Sequence, residues 1–502
     1  VSTDSEQPRP RDLVASFRRR TGARRNSPPL PARERWLVGL LATQTLVVVV
    51  AWGGVPAWSQ FLFVGLALLS FGVLFAPGFR DGKSPRSATP GENLRLLLKF
   101  PGFWLGFLLA AYVLIGAYNP AWIYVTDGAY WWMLERPYDP RLPAGVEAPF
   151  AGMNVWRQLL IWAGPWLTVC TLHVGLRRRR SMEHLWTAIV VGLTIYGAFA
   201  FLQWLTGTDK ILGIFESENS AFWGTIVYGN QAAAVLNLGL IIALSMTLYH
   251  QRRLHSTLQR SSPQLPMLAC GLAMGGSVVG CLSRGGILAL GAIMILFVLL
   301  AAAQAIRSRQ QGGPFVGMLV PAVLVLLLTG AFYAAFDRNQ ITRELSRLEQ
   351  VFRDPQRDLR FHLNVATTEM LEERWVYGWG AGSYRHLFPL YQQKYPELRD
   401  LGWGRSVHFR YAHNDLLQIP TELGLVGGMI LAAFPLGWAL ALARRTRWLH
   451  ADAALRILGA GIIVAHAGVD FLFYCPAILT LWALLWAGTY RQAEAERERG
   501  SS

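Results

Sequence analysis

The sequence predicts an all-α, polytopic membrane protein with about twelve transmembrane helices. Three observations predict it. Hydrophobic residues make up 53% of the 502 positions and charged residues only 16%, where a soluble domain carries about 25% charge. Apolar runs of roughly 20 residues recur along the whole length, each enough to cross a hydrocarbon core of about 30 Å. About 30 of the 47 Lys and Arg fall in the termini and the short loops of one side, against about four in the short loops of the other; that asymmetry marks the basic side as cytoplasmic.

The elements follow in order. Residues 1–35, with Arg18-Arg19-Arg20 and Arg24-Arg25, read as a disordered basic cytoplasmic tail. Residues 36–336 hold spans one to nine, with Trp36–Gly53 and Trp58–Pro77 as the first two. Arg80, Lys83, Arg86, Arg95 and Lys99 set the next loop inside, and Phe103–Tyr118 returns outward. The outside loop Asn119–Trp156 carries Trp122, Tyr124, Tyr130, Trp131, Trp132 and Tyr138. These aromatics fit an interfacial belt or a platform on which sugar rings stack. Arg177–Arg180 anchors the fourth span, and the fifth is Leu185–Leu205. Gln231–Tyr249, Pro266–Leu282, Ile287–Ala305 and Phe315–Phe336 complete spans six to nine.

Residues 337–412 form a long segment with apolar residues at helical spacing, such as Ile341, Leu345 and Leu348. It reads as a periplasmic loop with two or three helices on the outer face. Residues 413–490 hold spans ten to twelve, the tenth bent near Pro420 and Gly427-Gly428. Residues 491–502 form a second cytoplasmic tail, which puts both termini inside. The four cysteines lie in apolar runs and read as small hydrophobes, with neither a disulfide framework nor a zinc spacing. The formal charge of +16 is spent on membrane anchors, so it argues for anionic lipid and against nucleic acid.

Several residues can carry chemistry. Arg284 interrupts an apolar hairpin at Ser283-Arg284-Gly285-Gly286. A guanidinium at membrane depth costs about 2.5–3.5 kcal/mol, so it is paired or functional, and its planar fork suits phosphate oxygens. His413-Asn414-Asp415 opens the tenth span. Asn414 or Asp415 can cap that helix, and His413 can act as general base toward a sugar hydroxyl. Of the basic residues in the outer segment (Arg338, Arg343, Arg347, Arg353, Arg357, Arg360, Arg405 and Arg410), most read as a salt-bridged face. Arg360 and Arg410 stand out, the first opening a helix and the second preceding His413 by three residues. His466 and Asp470, four apart, read as a structural hydrogen bond on one face of the eleventh span. A Walker loop, a dinucleotide glycine motif, an Asp-x-Asp motif and HExxH are all missing, so nothing calls for a nucleotide, a metal or another cofactor.

Taken together, Ser283–Gly286, Arg360 with Trp375 and Gly378–Gly382, and Ala412–Asp415 followed by Glu422-Leu423-Gly424 and Gly427 resemble the bacterial O-antigen ligase and polymerase superfamily, over about Gly224 to Gly428. The resemblance implies a GT-C-like membrane fold. It also implies metal-independent, inverting glycosyl transfer at the periplasmic face of the bacterial inner membrane. The donor would be a glycan on undecaprenyl diphosphate, and the acceptor another glycan or lipid A-core. By the same resemblance Arg284 would bind the diphosphate, with Arg360 as a secondary contact. His413 would activate the acceptor hydroxyl or steady the leaving group, and Asn414, Asp415, Glu422 and Asn230 would support the site. One departure stands out: Gly229 occupies a place where members often have an arginine, which Lys210 or Arg410 could replace. The alternatives are an O-antigen or exopolysaccharide polymerase of the same superfamily and a lipid-linked glycan transporter.

Overall fold

The computed structural model describes residues 29–79, 88–219, 221–255, 263–310, 353, 354, 356, 358–399, 407–444 and 450–500. The expected ninth span, most of the basic N-terminal tail, and Arg338, Arg343, Arg347, Arg357 and Arg405 lie outside these residues.

The chain is mainly helical. In order come α1 (Ala32–Val50), α2 (Ala57–Val73), α3 (Pro90–Lys99) and α4 (Pro101–Tyr118). After three strands follow α5 (Val155–Gly175), α6 (Arg179–Leu205), α7 (Gly229–His255), α8 (Gln264–Gly280) and α9 (Arg284–Gln310). The outer segment gives α10 (Leu359–Glu373), α11 (Tyr384–Gln392) and α12 (Pro396–Arg399). The last three are α13 (Asp415–Ala443), α14 (Ala451–Ala467) and α15 (Pro476–Gly500). Among the described residues five helices, α4, α6, α7, α9 and α13, are long and apolar enough to cross a membrane, and α2 and α8 are shorter apolar helices.

Helix α7 is the axis of the bundle. It packs against α6, α8, α9, α14 and α15, and its apolar stretch is wholly buried. A helix apolar on all sides belongs inside a bundle or a bilayer. Ala232, Ala233, Ala234 and Gly239 let neighbours approach closely; a Cβ on Gly239 would meet Met274 Sδ at 2.7 Å. Polar clasps fix register, as where Gln44 donates to Thr168 Oγ1 at 2.7 Å between α1 and α5.

The loops sort into two ends. One end holds ion pairs: Glu34 with Arg178 at 3.6 Å, Arg253 with Glu183 at 3.0 Å, and Arg252 with Asp452 at 3.6 Å. The other end gathers the loop after α1, the strands, the α8–α9 turn, the outer helices and the α14–α15 loop. There Cys475 Sγ reaches Gly53 O, and Tyr112 Oη donates to Tyr377 O and Leu423 O.

The structure is consistent with the expected all-α class, with short strands added in the loops; two finer expectations need correction. Pro120–Thr126 (β1), Trp131–Glu135 (β2) and Gly145–Glu147 (β3) form a sheet in the order β2-β1-β3, antiparallel then parallel. Aromatic and β-branched residues favour strand here. The β1–β2 turn is written by Asp127-Gly128, where Asp127 Oδ1 accepts from the Ala129 and Tyr130 amides and Gly128 has φ +94°. A second hairpin pairs β4 (Lys210–Ile211) with β5 (Phe215–Glu216). The helix also begins sooner than the tail was drawn, at Ala32.

The second concerns α13: the bend expected near Pro420 and Gly427-Gly428 falls between them, at Gly424. Its φ of 63° and ψ of −173° belong to a region that only glycine occupies easily. The break frees backbone groups for residues 375–380. The Trp379 and Gly380 amides donate to Thr421 O and Glu422 O, and the Leu425 and Val426 amides donate to Trp375 O and Val376 O. A Cβ on Gly424 would lie 2.3 Å from Val376 O. Gly424→Ala is therefore expected to destabilise the protein by about 1–3 kcal/mol from the dihedral alone, with the steric clash added. Thermal melting of the purified variant checks this, and a melting temperature equal to wild type would contradict it.

Candidate functional site

The site forms where α9, α10, α13 and the α14–α15 loop meet. Asp470 is its centre. It is 3% exposed and lies beyond the end of α14, so it is not a residue of that span. Its Oδ1 stands 3.5 Å from His413 Nδ1 and its Oδ2 3.6 Å from Arg360 Nη2. Burial alone would raise the Asp470 pKa. His413, Arg360 and His466 outweigh it and hold the carboxyl below its ordinary value, so it is ionised at neutral pH.

Each partner is placed by local structure. Arg360 sits in the first turn of α10, whose N-cap Asp358 accepts the Arg360 amide at 2.9 Å. His413 has φ +54°, a conformation in which His is enriched but which still costs energy. Its ring stands edge-on to Phe471, centroids 4.8 Å apart. The Ala412 amide before it donates to Gln418 Oε1 at 2.8 Å, which ties the loop to α13. Both His413 and Arg360 remain about a third exposed, at 32% and 30% of their side chains, so each can reach a ligand.

The supporting residues divide by what they hold. Asp415 does not cap its own helix: its Oδ2 accepts from the Leu472 and Phe473 amides at 2.6 and 2.7 Å, and so it fixes the loop that presents Asp470. Asn414 occupies the N-cap position without a side-chain cap bond; its Nδ2 faces Asn364 Oδ1 at 3.4 Å. Glu422 accepts from the Gly382 and Tyr384 amides at 2.8 and 3.3 Å and pins the glycine-rich turn. Asn230 lies in the first turn of α7; its neighbour Gln231 donates to Phe471 O at 3.1 Å.

Arg284 opens α9, and the Ser283 hydroxyl accepts from the Gly286 amide at 3.0 Å in that first turn. The turn abuts the same cluster: a Cβ on Gly285 would come within 2.5 Å of His466 Cδ2. Gly229 leaves no room for the second arginine. Its Cβ would fall 2.8 Å from Cys281 O. Lys210 sits on the β4–β5 hairpin. Arg410 points elsewhere, pairing with Glu218 at 3.3 Å beside a separate cavity. Phe471, stacked on Tyr411 at 4.4 Å and 1°, stands between that cavity and His413.

The expected His466–Asp470 hydrogen bond is not made. Both ring nitrogens of His466 are buried without a hydrogen-bond partner among the described residues, because α14 ends at Ala467 and the chain turns Asp470 toward α10 and α13. The ionisable spacing drew attention to Asp470. The Tyr-Cys-Pro run at Tyr474–Pro476 signals the loop that frees it. Among the described residues no group of three or more His, Cys, Asp and Glu is arranged to hold a metal.

An ionised carboxylate beside an imidazole orients the ring. The Arg360 guanidinium on the same carboxylate suits a phosphorylated ligand. Fold and site together define an integral membrane protein with a charged, part-open site at one end of its bundle. Residues 269–432, roughly a third of the chain, match the O-antigen ligase family, which supports membership of the O-antigen ligase superfamily. The matched range contains Arg284, Arg360, Arg410, His413–Asp415 and Glu422, and leaves Asn230 and Asp470 outside. No curated protein matches the chain. Membership points to glycan transfer in a membrane, with a lipid-linked glycan and an acceptor as substrates.

Proposed function

We propose that this protein is a metal-independent, inverting glycosyltransferase of the inner membrane. It transfers a glycan from undecaprenyl diphosphate to an acceptor hydroxyl at the periplasmic face. The observation that carries the reading is the meeting of His413, Asp470 and Arg360 beside the Arg284 turn.

The acceptor hydroxyl gives its proton to His413, and its oxygen attacks the anomeric carbon. The bond from that carbon to the diphosphate breaks on the opposite face, and the diphosphate leaves on its prenyl chain. Asp470 holds the imidazole and balances the charge it gains. Arg284, with Arg360 behind it, stabilises the negative charge growing on the leaving group, a preorganised electrostatic effect. An apolar cleft of about 340 Å³ between α4, α5, α13 and α15, lined by Leu109, Trp162, Trp166, Phe434, Trp438 and Trp482, has the character that an isoprenoid tail requires.

The test is purified protein incubated with a defined polyprenyl-diphosphate glycan and two acceptors, a lipid A-core and a glycan. Capping of the core marks a ligase, and chain growth marks a polymerase. Arg284→Ala is expected to lower transfer at least about a hundredfold, since one preorganised donor on developing charge is worth about 10²–10³ in rate. Undiminished transfer by that variant removes Arg284 from the mechanism.

A further inference from the structure

On the other side of Phe471 lies a cavity of about 580 Å³, within the range of small-molecule sites. Its wall is cationic. Arg157, Arg385 and Arg410 line it, against one carboxylate, Glu218. Glu218 is taken by Arg410, in a pair that is largely exposed.

The other two guanidiniums have only neutral partners. Arg157, 8% exposed, donates from Nε to Gln60 Oε1 at 3.2 Å, from Nη1 to Ala151 O and from Nη2 to Val55 O, both at 2.8 Å. Three of its five N–H donors are thereby committed, which leaves two. Arg385 donates to Gly152 O at 2.6 Å and lies 5.5 Å from the Tyr411 ring centroid. Among the described residues neither meets a carboxylate. Two like charges lining one cavity, at least one of them buried, call for an anion from outside.

Part of the lining is aromatic. Tyr124 and Trp131 stack at 5.4 Å and 20°, and His386 and His408 stand edge-on to Trp131. Burial, with Arg385 and Arg410 beside it, pushes His408 down to about 4, so at neutral pH the cavity's positive charge is that of its arginines. A flat ring face and two guanidiniums lining one cavity suit a sugar ring carrying an anion better than a bare phosphate.

We infer that this cavity is a subsite for an acidic sugar, a uronate or a phosphate-substituted residue of the transferred or accepting glycan, held by Arg157 and Arg385 and stacked on Trp131. The inference rests on glycan transfer at the His413 side of Phe471. It makes the enzyme selective for anionic glycans.

The experiment is calorimetric titration of the detergent-solubilised full chain with four probes: a galacturonate oligosaccharide, its neutral galactose counterpart, galactose phosphate and inorganic diphosphate. The uronate or the sugar phosphate is expected to bind at least tenfold more tightly than the neutral sugar. Arg385→Gln should weaken acidic-ligand binding by about tenfold to a hundredfold, the worth of a charged hydrogen bond, and erase the preference. Glu218→Gln, an exposed change that spares the fold, should tighten it a few-fold. His413→Ala should keep the preference, which separates this subsite from the transfer chemistry. Equal binding of neutral and acidic sugars overturns the inference, as does displacement of the acidic sugar by diphosphate at lower concentration than the sugar itself needs. No tightening in Glu218→Gln overturns it equally, should Arg385→Gln fail to fold.

Discussion

His413→Asn and His413→Ala are expected to lower glycan transfer by about two to four orders of magnitude, the range over which a positioned acid–base group acts. Binding of the acceptor should change little, so the loss should fall on kcat. The two variants divide the contributions of backbone and ring. Position 413 has φ +54°, a conformation that Asn accepts readily and Ala does not. His413→Asn should therefore melt close to wild type and His413→Ala somewhat lower, while both are inactive. Single-turnover transfer from the lipid-linked donor, measured beside thermal melting, checks both halves. An active, well-folded His413→Asn protein would show that the imidazole does not move the proton.

Asp470→Asn is expected to cost transfer about a hundredfold or more while leaving the protein folded. The substitution keeps the shape of the side chain and removes the charge that faces both His413 at 3.5 Å and Arg360 at 3.6 Å. The imidazole then lacks the carboxylate that orients it and balances the charge it gains during transfer. The stability change should be modest, because both partners are about a third exposed and water screens them once the carboxylate is gone. The Phe471 amide, which donates to Asp470 Oδ1 at 3.0 Å, keeps an acceptor in the amide oxygen of Asn. Arg360→Ala touches only the other oxygen and should cost less. Should Asp470→Asn melt far below wild type with its remaining folded fraction fully active, the carboxylate is a brace for the loop and not a partner of the base.

The residues that resemble the family were visible because they break patterns. Arg284 interrupts an apolar hairpin, and His413 opens a span. Gly378 and Gly424 were visible only as glycines; their purpose, to let residues 375–380 pair with an opened helix, needs two segments side by side. Nothing in the sequence singled out Arg157 or Arg385. They face one cavity only because α5, α11 and the β1–β2 hairpin converge there. The strands were hidden because Trp, Tyr and Ile serve a membrane interface and a β-sheet equally well.

By itself the sequence determined that the protein belongs in a membrane, where its basic loops gather, and which arginine and histidine to suspect. Those properties are local or additive: hydropathy sums along a span, and charge sums along a loop. Tertiary structure decided that Asp470 leaves α14 to join His413 and Arg360, that Arg410 turns instead to Glu218, and that Phe471 stacks on Tyr411 with its edge toward His413. Such choices depend on distances between segments far apart in the chain, which no window of sequence contains.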